Sequence, residues 1–152
     1  MAGFEFRLQT LLKVRAAERD ECRQQLAKAY RADQILVDHR EQLQVELNET
    51  KRCARRMIEP GQVKVEQLLN ANRYELILAA QMREVEEQRK LVASEIERRR
   101  QSLVEADRQL RILEKLKDRQ RVEYLQHEEK MEIRNLDEVA LRNTRRQEDL
   151  YR

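Results

Sequence analysis

The sequence predicts an all-α protein, a two-helix antiparallel coiled-coil hairpin with a long overhanging C-terminal helix. Three observations carry that expectation. Helix breakers are nearly absent: 152 residues hold one proline and two glycines, with Pro60 and Gly61 adjacent and Gly3 at the start. Charged and hydrophobic residues each make up 40% of the chain, aromatics only 4%, and tryptophan is missing. A globular core of this size needs more bulky apolar side chains, whereas a coiled coil buries one narrow seam and solvates the rest. Third, apolar residues recur at alternating steps of three and four.

The first helix is expected over residues of about 5–57. Steps of four and three from Leu8 pass through Leu12, Arg15, Arg19, Cys22, Leu26, Ala29, Asp33, Leu36, Arg40, Leu43, Leu47, Thr50, Ala54 and Met57. Ten of these fifteen positions are apolar, well above the background, which defines a seam of 3.5-residue period. A turn at about 58–62 follows. Proline clashes with the preceding helical turn and glycine tolerates the positive φ of tight turns, so Pro60 and Gly61 form the hinge. The second helix is expected over about 63–145. From Leu68 its stripe runs through Ala71, Glu75, Leu78, Met82, Val85, Arg89, Val92, Ile96, Arg99, Leu103, Ala106, Leu110, Leu113, Lys117, Gln120 and Tyr124, twelve of seventeen being apolar. Acid-before-base pairs at i,i+4, namely Glu86/Lys90, Glu95/Arg99 and Asp107/Arg111, support its exposed face. No change in composition marks a linker, so residues 1–152 read as one coiled-coil domain.

Folding back at residues 60–61 makes position i face roughly position 120 − i. Asp33 and Arg89 are charged members of otherwise apolar stripes and nearly satisfy that rule. They are expected within ion-pair reach, setting register as a polar seam residue does. The first helix reaches back to about residue 115, which leaves roughly 35 residues after Leu116 without a partner in the chain. In that tail Met131, Ile133, Leu136, Val139, Ala140 and Leu141 follow no single 3.5-residue stripe.

Charge and motif patterns argue against several functions. The net charge of +3 balances 32 basic against 29 acidic residues, and Arg98-Arg99-Arg100 is flanked by Glu95, Glu97 and Glu105, within a Debye length of about 8–10 Å. No nucleic-acid partner is expected. The longest apolar run, Leu76 to Ala80, is far shorter than the ~20 residues of a membrane span, so no direct membrane insertion is expected. An acid, Glu5, stands where a signal peptide would begin its apolar core, which points to a cytosolic, reducing setting. Cys22 and Cys53, about 46 Å apart on one helix at ~1.5 Å per residue, cannot form a disulfide. His39 and His127 lack metal-ligand neighbours, no phosphate-cradling glycine loop occurs, and Ser94 and Ser102 have no base. No catalytic residue, metal or cofactor is expected.

Three short motifs do point to a family. The opening Phe4-x-Phe6-Arg7-Leu8-Gln9-x-Leu11-Leu12-x-Val14-Arg15-x-x-x-Glu18 resembles the start of FliJ-type flagellar export proteins. Leu113-Glu114-Lys115-Leu116-x-x-Arg119-Gln120 and Leu136-Asp137-Glu138-x-Ala140-x-x-Arg142 are similar to that family's carboxyl-terminal signatures. The resemblance covers the whole chain in length and layout. It implies a non-catalytic component of the flagellar type III export apparatus, similar to the central stalk of rotary ATPases. Implied partners are the hexameric flagellar export ATPase, the cytoplasmic domain of the export-gate membrane protein, and export substrate chaperones. The implied location is cytoplasmic, peripheral at the inner face of the inner membrane.

Within that resemblance, Phe4, Phe6 and Leu11, off the seam, are expected to meet the ATPase together with Leu136, Asp137, Glu138 and Arg142. Tyr74, Ile77 and Leu78 are expected to meet the export gate. A generic scaffold coiled coil is the alternative reading, and it would continue a heptad repeat into the tail.

Overall fold

The computed structural model describes residues 3–58 and 63–150, with side chains described as far as residue 145. Two helices account for almost all of it: α1 (Gln9–Arg56) and α2 (Val65–Leu150). They pack against each other as an all-α helical hairpin, and no strand occurs among the described residues. The hinge residues Pro60 and Gly61 lie outside the described residues.

The start of α1 differs from the sequence expectation. Residues 3–6 are not helical, and Gln9 N donates to Phe6 O at 3.0 Å to close a turn before Leu12 N bonds Leu8 O at 3.0 Å. The helix begins at Gln9 instead of about residue 5 because Phe6 turns inward, with only 7% of its surface exposed. At the other end, Ile58 N bonds Arg55 O at 3.2 Å, tightening the last turn. Arg55 and Arg56 there complement the negative end of the helix dipole. In α2 the ladder begins with Leu68 N on Lys64 O at 3.2 Å, with Glu66 in the first turn. It runs on to Leu150, beyond the expected 145.

Contacts fall into two units, residues 20–105 and residues 1–19 with 106–152. In the unit of residues 20–105 the core is a cluster of Leu43, Leu78 and Val85, with Leu36, Leu47 and Met82 packed against it. Ala29 and Ala54 are also buried here. Residues 43 and 78, like 36 and 85, pair close to the 120 − i rule. In the unit of residues 1–19 and 106–152 the buried side chains are Phe6 and Leu110.

Burial follows the heptad count closely. Every position of the second stripe, from Leu68 to Tyr124, is buried or half-buried, and so is every position of the first stripe except Arg40. No charged side chain among the described residues is buried, because the seam lets each polar member reach the solvent edge.

Candidate functional site

The polar seam members make specific bonds across the helices. Arg89 Nε donates to Asp33 Oδ1 at 3.1 Å, with both side chains about seven-tenths covered. That hydrogen bond raises the Arg89 pKa, against a smaller opposing effect of desolvation. Glu86 turns to Arg40 at 3.7 Å and Arg89 at 4.0 Å, so Lys90 pairs with Glu87 at 2.7 Å instead of the expected Glu86. Arg99 spans the seam to donate to the backbone carbonyl of Gln25 at 2.7 Å while Glu95 holds its Nε at 2.6 Å. Glu95 also receives two bonds from Arg98, at 2.9 and 2.8 Å. Hydrogen bonds from Arg98 and then Arg99 pull its carboxyl down to about 2. Arg100 reaches Tyr30 Oη at 3.0 Å and Glu97 at 3.7 Å. The Arg98-Arg99-Arg100 triplet is thus engaged within its own unit.

Around the first turns of α2, Tyr74 Oη donates to Glu46 Oε2 at 3.1 Å, which raises the tyrosine pKa. Tyr74 lines a shallow groove of about 320 Å³ together with Glu46, Glu49, Thr50, Cys53 and Ala71. Tyr74 and Ile77 remain exposed. Leu78 does not belong with them. At 1% exposure it is the most deeply buried side chain among the described residues, because its place on the heptad stripe points it at α1. Its assignment to a gate-binding surface is corrected to a core role.

Near the chain's start, Phe4 lies against Tyr124 with ring centroids 5.8 Å apart at 47°. Tyr124 Oη donates to Glu128 at 3.1 Å, and Lys117 Nζ donates to Gln9 Oε1 at 3.1 Å. The unpartnered tail therefore begins after Glu128, not after Leu116. An extended residue advances about 3.3 Å against 1.5 Å in a helix, so the non-helical residues before α1 cover further turns of α2. The same packing buries Phe6, which corrects its assignment to a partner surface. Phe4 stays half-buried and Leu11 exposed.

All of residues 129–145 are exposed. Arg142 pairs with Glu138 at 3.7 Å, and Thr144 Oγ1 bonds the carbonyls of Ala140 and Leu141. At 100° per residue, Val122, Leu125, Ile133, Leu136, Val139 and Ala140 fall within about one third of the helix circumference, an arc they share with Glu129, Glu132 and Asn143. Counting by heptads hid this stripe, because an unpaired helix keeps 3.6 residues per turn and need not underwind to 3.5. Met131, Leu141, Glu138 and Arg142 lie off it.

No group of three or more His, Cys, Asp or Glu side chains suited to a metal occurs among the described residues. No helix there is long and apolar enough to cross a membrane. Both cysteines are free thiols, Cys22 half-buried and Cys53 exposed.

The family model described as the flagellar FliJ protein matches residues 4–149. The chain belongs to the FliJ family. It is accordingly a coiled-coil protein related to flagellar export, and this membership associates it with the flagellar export apparatus. No curated protein and no solved structure gives a significant match. The match to the FliJ family includes both the segment around Phe4 and the exposed tail with Leu136-Asp137-Glu138.

Proposed function

We propose that this FliJ-family protein is a non-catalytic stalk of the flagellar export ATPase and escorts substrate chaperones to the export gate. The observation that carries the reading is the exposed helical tail of residues 129–145, which lies inside the family match and packs on no other helix among the described residues. A lone helix is marginal in water, and an apolar stripe through Ile133, Leu136 and Val139 gives a second protein a surface to bury. The ATPase contact comprises Phe4 and Leu11 with Leu136, Asp137, Glu138 and Arg142. The gate contact, on the cytoplasmic domain of the gate membrane protein, comprises Tyr74 and Ile77. The protein works in the cytoplasm, peripheral to the inner membrane, and the ATPase supplies all nucleotide chemistry.

Binding of the purified chain to the flagellar ATPase tests the reading. Leu136→Asp with Val139→Asp should weaken ATPase binding at least tenfold with unchanged helicity and melting, while Tyr74→Ala with Ile77→Asp should weaken only the gate-domain contact. Full ATPase binding by a chain truncated after Glu128 would remove the tail from the contact. Self-association of the intact chain through the tail, without ATPase binding, would favour a scaffold.

A further inference from the structure

The last turns of α1 carry Lys51, Arg52, Arg55 and Arg56, all exposed. At 100° per residue these four cover under half of the helix circumference, on the side away from buried Ala54. Lys64, just before α2, is a fifth exposed cation. None of the five side chains has a hydrogen-bond or ion-pair partner among the described residues. Elsewhere Arg89, Arg98, Arg99, Arg111 and Arg119 each hold a carboxylate. Described residues 51–58 and 63–65 include no acidic residue, although Glu49 and Glu66 border them and Glu59 follows Ile58 in the sequence, so five cations stand against three carboxylates. Ile58, Val63 and Val65 are 57%, 54% and 62% exposed there.

Fold stability accounts for only part of this cluster. Arg55 and Arg56 suit the C-terminal end of a helix dipole. Lys64 sits at the opposite kind of end, where the first N–H groups of α2 repel a cation. Lys51 and Arg52 lie further up the helix and form no ion pair among the described residues, although Glu49 stands three residues before Arg52.

We propose that this end of the two helices docks on an anionic lipid surface. The cations lie over the headgroups, and Ile58, Val63 and Val65 enter the interfacial layer. The apolar side chains stand beside the cations at the helix ends and are each more than half exposed, so they suit a fluid bilayer that takes up scattered apolar groups better than a structured acidic protein. A nucleic-acid backbone would satisfy the charges and leave the apolar groups without a role. The contact uses no residue assigned to the ATPase or the gate. It deepens the peripheral location proposed above and rests on that reading only for its cellular setting.

Flotation of the full chain with vesicles tests it. Each cation near an anionic leaflet is worth about fivefold in partitioning. The chain should bind vesicles of phosphatidylglycerol and phosphatidylcholine in about equal parts and leave phosphatidylcholine vesicles unbound. Lys51→Gln, Arg52→Gln, Arg55→Gln and Arg56→Gln together should weaken binding at least a hundredfold, with helicity and ATPase binding retained. A control with the same charge loss, Lys115→Gln, Arg119→Gln, Arg121→Gln and Lys130→Gln, should change it less than tenfold. Equal loss in the control, equal binding to neutral vesicles, or capture of polyglutamate or duplex DNA without vesicle binding would overturn the proposal. Loss of ATPase binding with vesicle binding intact would instead count against the stalk reading alone.

Discussion

Replacing Leu78 by alanine tests whether the heptad seam or a partner surface owns that side chain. Leu78 is 1% exposed against Leu43 and Val85, whereas Leu76, two residues earlier, is 72% exposed. Leu78→Ala removes three buried carbon groups, worth about 0.8 kcal/mol each, or about 2.4 kcal/mol. Cavity terms place such changes at about 2–5 kcal/mol. A two-helix seam is open to water on both flanks and relaxes easily, so a loss of about 2.5–3 kcal/mol is expected. Leu76→Ala should stay within about 0.5 kcal/mol. Both substitutions carry the same change in helix propensity, so their difference isolates packing. Urea unfolding followed by far-UV circular dichroism measures it. Indistinguishable midpoints for the two variants would refute the seam assignment, and selective loss of gate binding at unchanged stability would restore Leu78 to the partner surface.

Phe6→Ala should destabilise the protein by about 3 kcal/mol, the lower end for a buried phenylalanine, measured by the same unfolding assay. Truncation after Glu128 should leave thermal melting nearly unchanged, while truncation after Leu116 should lower it by removing Lys117 and Tyr124 from Gln9 and Phe4. Glu95 has a folded-state pKa depressed to about 2 from 4.5. Its contribution is therefore complete above the unfolded value and is lost as pH falls from about 4.5 towards 2. The wild type should lose more melting temperature across that window than Glu95→Gln does, and parallel curves would contradict the Arg98 and Arg99 bonds. Replacing Asp33 and Arg89 together by leucine should leave stability unchanged or raised, because an ion pair in the seam offsets its own desolvation poorly. Arg89→Leu alone should lower stability, and cysteine crosslinking across the helices should reveal register slippage in the double variant if the pair sets register.

The periodicity of the chain already contained the fold class, both helices and nearly every seam position. A 3.5-residue stripe says which face must leave water, and burial tracks it from Leu8 through Tyr124. The polar seam members were legible too: Asp33 and Arg89 came within two residues of the pairing rule as numbers before they met as a hydrogen bond. Leu78 was assigned to two roles at once, and its stripe position was the sounder guide. The rest depended on where the chain stops being helical. Phe4 and Phe6 have no period to place them, so only the turn closed by Gln9 and Phe6 shows that one packs on Tyr124 and the other is buried. Net charge over wide windows hid the Lys51–Arg56 cluster, since ion pairs elsewhere consume cations that a count leaves standing. Likewise, the tail's apolar stripe appears only at 3.6 residues per turn. Sequence pattern determines which side of a helix is apolar, but only the tertiary structure decides where that side finds a partner. The physical reason is that packing, not propensity, sets the register, the chain reach and the twist of each helix.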